Sequence, residues 1–341
     1  MTQTHMHREV QEIPDAVDRL LSQGAGPMRA AGDALRDLDP RVFVTVARGS
    51  SDHAATCFKY CAELLAGVPV ASVGPSVASI YGARLRLNGA ACLAISQSGK
   101  SPDIVAMARM AAEGGAETFA VTNYPDSDLA HACGHTLALH AGEERSVAAT
   151  KTFVTSVVAG VWLLAEWRRD AALLTALRNL PEVLRTAVAQ DWGALADGLE
   201  GRSSLYCLGR GPAYAMAGEA ALKFKETCQL HAESYSSAEV LHGPVSIVEP
   251  GFPVIALAAA DAAEPALVEV ADGMAGKGAS VFVTSDRATR ATALPVARTG
   301  HPLLDPVSLI ATFYATVERV ARARGVDPDA PRHLRKVTET V

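Results

Sequence analysis

The sequence predicts an α/β protein made of two repeated subdomains, each a mostly parallel, doubly wound sheet flanked by helices. Three observations carry this. Short apolar strands alternate with helical stretches from about residue 42 onward, as in parallel sheets built from βα units. An all-helical stretch interrupts the alternation, which restarts at Ser204. Three strand ends recur 162 positions later (210 less 48): Ala47-Arg48-Gly49 as Gly209-Arg210-Gly211, Ala94-Ile95 as Ala256-Leu257, and Val121-Thr122 as Val283-Thr284.

In order along the chain, Glu9 to about Leu38 reads as helix with a break near Gly24–Pro27. Val42–Val46 is a β-branched and aromatic run. The polar turn Ala47–Ser51 follows, then a helix, Asp52–Ala66, stopped by Gly67. Val70–Val73 and Ala91–Ile95 read as strands. Ser96–Ser101 is a polar turn before a helix that ends at Gly114–Gly115, and Thr118–Val121 and Thr136–Leu139 add two strands. From Ser146 to about Glu200 the pattern is helical, with Pro181 as a break. The second set of strands is Ser204–Leu208, Pro253–Leu257 and Ser280–Val283, closed by a long helix at about Pro306–Arg324.

Composition narrows the function classes. At 341 residues the chain suits two domains or one large one, and 49% apolar residues exclude disorder. Net charge is −6, no basic run stands out and aromatics are 5%, which argues against a nucleic-acid partner. The most apolar stretch, Phe153–Ala165, is interrupted by Thr155 and Ser156 and is too short to span a bilayer, so no membrane partner is expected. The first residues carry no apolar targeting segment, and six cysteines lack zinc-ribbon or disulfide-framework spacing. Reduced thiols in a cytoplasmic protein are the expectation.

Two constellations could carry chemistry. Ser96-Gln97-Ser98-Gly99-Lys100-Ser101 joins a strand to a helix, where open α/β sheets bind ligands. A helix N-terminus there offers free N–H groups, and the hydroxyls add donors, so the turn suits one phosphate group. The same residues also suit an ordinary polar turn with a serine N-cap, and composition alone does not separate the two. Gly49-Ser50-Ser51 is a second hydroxyl-bearing turn at the same sheet edge and favours the phosphate reading. The second repeat has Leu257-Ala258-Ala259-Ala260-Asp261 instead, so the hydroxyls belong to one copy. In the other constellation, Lys223 and Glu226 lie at i and i+3 of a helix, where the lysine would keep Glu226 ionised as a base. An exposed ion pair is the plainer alternative. His231, Glu233, Glu239, His242 and the Gly243-Pro244 turn follow closely. His131, Cys133, His135 and His140 match no zinc pattern, and no Gly-x-Gly-x-x-Gly follows a strand, so neither metal nor dinucleotide cofactor is expected.

Several motifs in order carry a resemblance: Arg48-Gly49-Ser50-Ser51, Ser96-Gln97-Ser98-Gly99, Val147-Ala148-Ala149-Thr150-Lys151, Lys223-Phe224-Lys225-Glu226, Glu239-Val240-Leu241-His242-Gly243-Pro244 and Pro331-Arg332-His333-Leu334-Arg335-Lys336-Val337-Thr338. Together they resemble the sugar isomerase (SIS) family, in its double-SIS form. The likeness covers about residue 6 to 341 and is similar to the isomerase half of glucosamine-6-phosphate synthase and to stand-alone SIS-type glucosamine-6-phosphate deaminases. The resemblance implies a helical segment at 1–40, SIS subdomain 1 at 41–170 with the phosphate site, a helical linker at 171–200, SIS subdomain 2 at 201–330, and an active-site tail at 331–341.

It also implies roles. Gly49, Ser50, Ser51, Ser96, Gln97, Ser98, Ser101, Val147 and Ala148 would bind the phosphorylated sugar. Glu226 would move a proton between C1 and C2, with Lys223 orienting it. His242 would help open the ring from a partner subunit, which implies a homodimer with shared sites. Lys336 would cover the sugar and could form a Schiff base with a ketose. Two departures stand out. The chain starts Met1-Thr2-Gln3 with its first cysteine at Cys57, so glutamine hydrolysis is not expected, and Lys100-Ser101-Pro102 replaces an acidic-threonine pair. The implied activity is an amino-sugar-phosphate deaminase/isomerase. Rivals are another phosphosugar ketose/aldose isomerase, a deglycase, or a non-catalytic sugar-phosphate sensor.

Overall fold

In a computed structural model of the protein, residues 3–336 are described. The chain divides into two compact units. Among the described residues, the first comprises Asp15–Glu144, Lys151–Arg178 and 335–336; the second comprises 3–14, Arg145–Thr150 and Asn179–Leu334.

The first unit holds β1 (Phe43–Val46), β2 (Val70–Ser72), β3 (Ala91–Ile95), β4 (Glu117–Thr122) and β5 (His135–Ala138), all parallel, in the order β2-β1-β3-β4-β5. Every residue of β1 and β3 is buried, which is why both are continuous apolar runs rather than alternating ones. On one face, Val44, Val46, Cys92 and Ala94 meet Ile104, Met107 and Ala108 of the helix Pro102–Glu113. On the other, Phe43 lies edge-on to Phe58 and Trp167, with centroids 5.2 and 5.5 Å apart. Those two rings come from the helices Ser50–Ala66 and Lys151–Arg168. The latter is apolar on nearly every side and buried almost throughout.

The second unit repeats this plan. β6 (Ser204–Gly209), β7 (His231–Ser236), β8 (Pro253–Leu257), β9 (Ser280–Val283) and β10 (Thr292–Ala293) run parallel in the order β7-β6-β8-β9-β10. One face packs on Leu267, Val268 and Ala271 of the helix Glu264–Ala275. The helices Pro212–Cys228 and Asp305–Ala323 meet through Phe224 and Phe313, 5.1 Å apart. The strand orders match element for element. The turns after β1 and β6 match in backbone too: Gly49 has φ 54°, ψ −131°, and Gly211 has φ 57°, ψ −139°. This is a left-handed φ that glycine adopts at little cost, so the shared Arg-Gly of the repeat has a conformational reason.

Four local expectations need correction. The N-terminal helix is three, His5–Gln11, Ile13–Gln23 and Ala25–Leu38, with an extra break at Glu12. Pro181 lies inside the helix Ala171–Ala189 and does not end one. The break comes earlier, where Arg169 turns left-handed (φ 52°) and the Asp170 carboxylate accepts the N–H groups of Ala172 and Leu173 as an N-cap. Ser146–Thr150 is loop, not helix. β7 is a strand where the sequence reads only as a polar cluster.

Candidate functional site

Strands β1 and β3 are neighbours, so the turns that follow them come out side by side at the carboxyl edge of the first sheet. Between them lies a cavity of about 330 Å3 lined by Gly49, Ser51, Ser96, Gln97, Ser98 and Ser101, with Arg48 and Lys336 at its wall. Ser50 begins the helix Ser50–Ala66 and is not part of the lining. Ser101 occupies the N-cap of the helix Pro102–Glu113, yet its side chain makes no capping bond. The ordinary N-cap role therefore leaves its hydroxyl unused. Ser96 Oγ accepts the Gly99 N–H at 3.2 Å and Ser98 Oγ accepts the Lys100 N–H at 3.3 Å. Each hydroxyl is held as an acceptor and keeps its own proton to donate. Gly99 has φ 63°, and a Cβ there would sit 2.1 Å from Ser127 Oγ. Only a bare backbone fits that turn.

The second repeat closes the equivalent place with its own carboxylates. Ala260, 162 positions after Ser98, gives its N–H to Asp305 at 2.9 Å. Ala263, the counterpart of Ser101, gives its N–H to Asp261 at 2.8 Å. Arg298 then pairs with Asp305 and Glu264. Where one repeat leaves hydroxyls and amides facing a cavity, the other has satisfied the donors internally. Ser96→Ala combined with Ser98→Ala is expected to weaken binding of a phosphorylated ligand by about 1.5–3 kcal/mol per hydroxyl, as donors to a charged group are worth. Calorimetry reads this, and unchanged affinity would take both hydroxyls out of the site.

Lys336 Nζ lies 2.7 Å from Glu144 Oε2. The Glu144 side chain is fully buried and also accepts the N–H and hydroxyl of Thr152. A carboxylate fixed from the helix Lys151–Arg168 thus holds the lysine at the cavity wall. Val337 and Thr338 of the tail motif, and the residues after them, lie outside the described residues.

The remaining candidates belong to the second unit. Lys223 and Glu226 sit on the helix Pro212–Cys228, and their charged ends are in hydrogen-bond contact. Glu219, one turn earlier, lies 3.4 Å from Lys223 Nζ on the same face. This is no solvated ion pair: the Lys223 and Glu219 side chains are buried, while Glu226 keeps 21% of its side chain exposed. Burial alone would push the Lys223 ammonium down. Glu219 and Glu226 together outweigh it and hold the group above its ordinary value. Tyr314 donates its hydroxyl to Glu219 at 2.8 Å. The arrangement is one cation locked between a buried carboxylate and a reachable one. Such a carboxylate can accept a proton from a ligand while its neighbour stays charged.

His242 ends the one-turn helix Glu239–His242 and is exposed, next to Gly243 (φ 144°) and the exposed Leu241. Val147 and Ala148 lie in the loop 145–150 of this unit. Its start is held by Glu9, a buried residue whose carboxylate accepts the N–H groups of Arg145 and Ser146. A larger cavity, about 730 Å3, lies beside the helix Asp305–Ala323 and holds none of the candidate residues.

Sequence reasoning missed Glu219, Glu144 and Glu9. Glu219 had a signal, its i−4 spacing to Lys223. The other two reach their partners only through the tertiary fold. Among the candidate ligand histidines, His135 is occupied by Glu117 at 2.8 Å and stacks on Phe119. Among the described residues no group of three His, Cys, Asp or Glu side chains could hold a metal ion. None of their helices is long and apolar enough to cross a membrane. The six cysteines are unpaired, and burial pushes the Cys133 and Cys228 thiols up to about 11, away from reactive thiolates.

Comparison with known proteins adds independent findings. The SIS domain pattern matches residues 38–166 and 198–291. The chain is 34% identical over 97% of its length to a glutamine–fructose-6-phosphate aminotransferase [isomerizing] of Aeropyrum pernix, covering 56% of it. It is 32% identical over 97% to the protein of that name in Symbiobacterium thermophilum, covering 57%. The chain thus spans just over half the length of these curated relatives. Among solved structures, a protein of Silicibacter pomeroyi DSS-3 proposed as a phosphosugar isomerase is 60% identical, with a TM-score of 0.93 over 96% of this chain and 100% of that one. The C-terminal domain of a Francisella tularensis glucosamine-fructose-6-phosphate aminotransferase shares the fold, at 24% identity and TM-score 0.87 over 97% of this chain and 98% of that one.

Proposed function

This chain belongs to the SIS domain family, and on that footing we propose that it is an amino-sugar-phosphate deaminase/isomerase. The substrate would be glucosamine 6-phosphate or a close relative, converted to fructose 6-phosphate and ammonia. The observation that carries the reading is the hydroxyl-lined cavity, open in one repeat and internally closed in the other, with Lys336 fixed at its wall.

The chemistry asks for one group that moves a proton. In the open-chain sugar, Glu226 takes the C2 proton, and the electron pair flows to the C1 carbonyl, which gains a proton to give an enol. Return of a proton to C1 gives a 2-imino sugar. Water adds at C2, ammonia leaves, and the 2-ketose remains. Lys223 donates a hydrogen bond to Glu226 and orients its carboxylate for the first step. In a homodimer, the exposed His242 would serve the partner subunit's ring-opening step. Two copies would then share their sites. A phosphorylated substrate and unpaired thiols fit a cytoplasmic setting.

The test is a panel of hexosamine 6-phosphates with ammonia as the readout. At least one member is expected to release ammonia together with a ketose phosphate. Interconversion of phosphosugars without ammonia would replace the deaminase with a ketose/aldose isomerase. Binding without any turnover would make the chain a sensor.

A further inference from the structure

We propose that Arg48 is a specificity-determining residue that grips the phosphate of the bound sugar, and that Asp103 is the residue that positions it. The proposal rests on the phosphosugar reading above and adds two residues to the same site.

Arg48 directly follows β1 and lines the cavity. Its Nε and Nη2 both donate to Asp103 Oδ2, at 3.0 and 2.9 Å. Asp103 lies in the first turn of the helix Pro102–Glu113, and its side chain is completely buried. Its other oxygen accepts the N–H of Ile104 at 2.8 Å. Arg48 is exposed over 54% of its side chain. The carboxylate therefore stands behind the guanidinium and the cation faces the cavity. One edge of the guanidinium is used, and Nη1 has no hydrogen bond among the described residues. A guanidinium fixed along one edge offers its remaining N–H groups in a set direction, and phosphate oxygens suit that geometry. The cavity lining holds no carboxylate to compete. Burial raises the Asp52 carboxyl above its ordinary value and the nearby Arg48 charge offsets only part of that, but no hydrogen bond joins the two among the described residues.

The repeat supplies the control. The second copy keeps the arginine, as Arg210, but Pro265 stands where the first has Asp103. If the arginine needed its carboxylate merely to close the turn, both copies would carry the pair. Only the copy with the open hydroxyl cavity does. Lys336, fixed by buried Glu144 in the same way, is the second cation at this wall. Two cations, each aimed by a buried carboxylate, suit a phosphate monoester and add discrimination that hydroxyls and a helix N-terminus alone do not provide.

The experiment measures inorganic phosphate binding by calorimetry and phosphosugar kinetics in the unaltered protein and in Arg48→Met, Arg48→Lys and Asp103→Asn, with folding checked by circular dichroism. Arg48→Met is expected to lose roughly 10–100-fold in phosphate affinity, the worth of charge-assisted hydrogen bonds. Its KM should rise by a similar factor with kcat nearly unchanged. Arg48→Lys should recover part of the loss, since an ammonium lacks the fork. The Asp103→Asn loss should vanish once Arg48 is already Met, because the aspartate acts through the arginine. Folded Arg48→Met that binds phosphate as tightly as the unaltered protein would overturn the proposal. Failure of the unaltered protein to bind phosphate at all would instead overturn the phosphosugar reading beneath it.

Discussion

Glu226→Gln is expected to lower turnover of a phosphorylated sugar by about 10²–10⁴-fold, the usual worth of a positioned general base. Phosphate affinity should barely change, because the cavity residues lie on other elements of the fold. The substitution is nearly isosteric and keeps an oxygen to accept from Lys223, so the helix Pro212–Cys228 should keep its packing. The readout is loss of tritium from substrate C2 to solvent. Release at the unaltered rate in the glutamine variant would remove Glu226 from the proton transfer.

Lys223→Met is expected to destabilise the protein by about 3–5 kcal/mol, the cost of stranding a buried charge. Glu219 has no exposed side-chain surface and faces Lys223 at 3.4 Å. Without the ammonium, its charge would have to remain uncompensated or be neutralised by a proton. The pH dependence has a definite sign. The folded-state pKa of Lys223 is raised above the ordinary value near 10.5. Its contribution is therefore complete below the unfolded value and is lost as pH climbs through the folded one. The unaltered protein should lose stability at the alkaline edge by a step that Lys223→Met lacks. Denaturant unfolding at neutral and alkaline pH measures both effects. A double variant, Glu219→Gln with Lys223→Met, should recover part of the loss. A single Lys223→Met variant as stable as the parent would contradict the buried-network account.

The fold was legible wherever burial on both faces forces a continuous apolar strand. Ala91–Ile95, Pro253–Leu257 and Ser280–Val283 stand out in sequence for that reason. β7 did not, because it is an edge strand paired only with β6, and its residues His231–Ser236 are mostly polar and half exposed. β10 is two exposed residues and leaves no pattern at all. Pro181 misled because one missing N–H is tolerated inside a helix of 19 residues. The cavity residues could be found because their hydroxyls cluster between a strand and a helix and are absent from the second copy. The carboxylates that hold the cations could not. Asp103 reaches Arg48 across 55 positions, and Glu144 reaches Lys336 across 192. Such partners are fixed by sheet order and helix packing, which no local spacing encodes.

The central claim is that this chain moves a proton between C1 and C2 of a phosphorylated amino sugar. The most direct measurement is proton NMR of hexosamine 6-phosphates incubated with the protein in D2O. The expected result is a ketose 6-phosphate carrying deuterium at C1, with ammonium formed in equal amount and the same sugars inert when unphosphorylated. Intact, folded protein that binds these phosphates and leaves the hydrogen at C2 of every one untouched would contradict it.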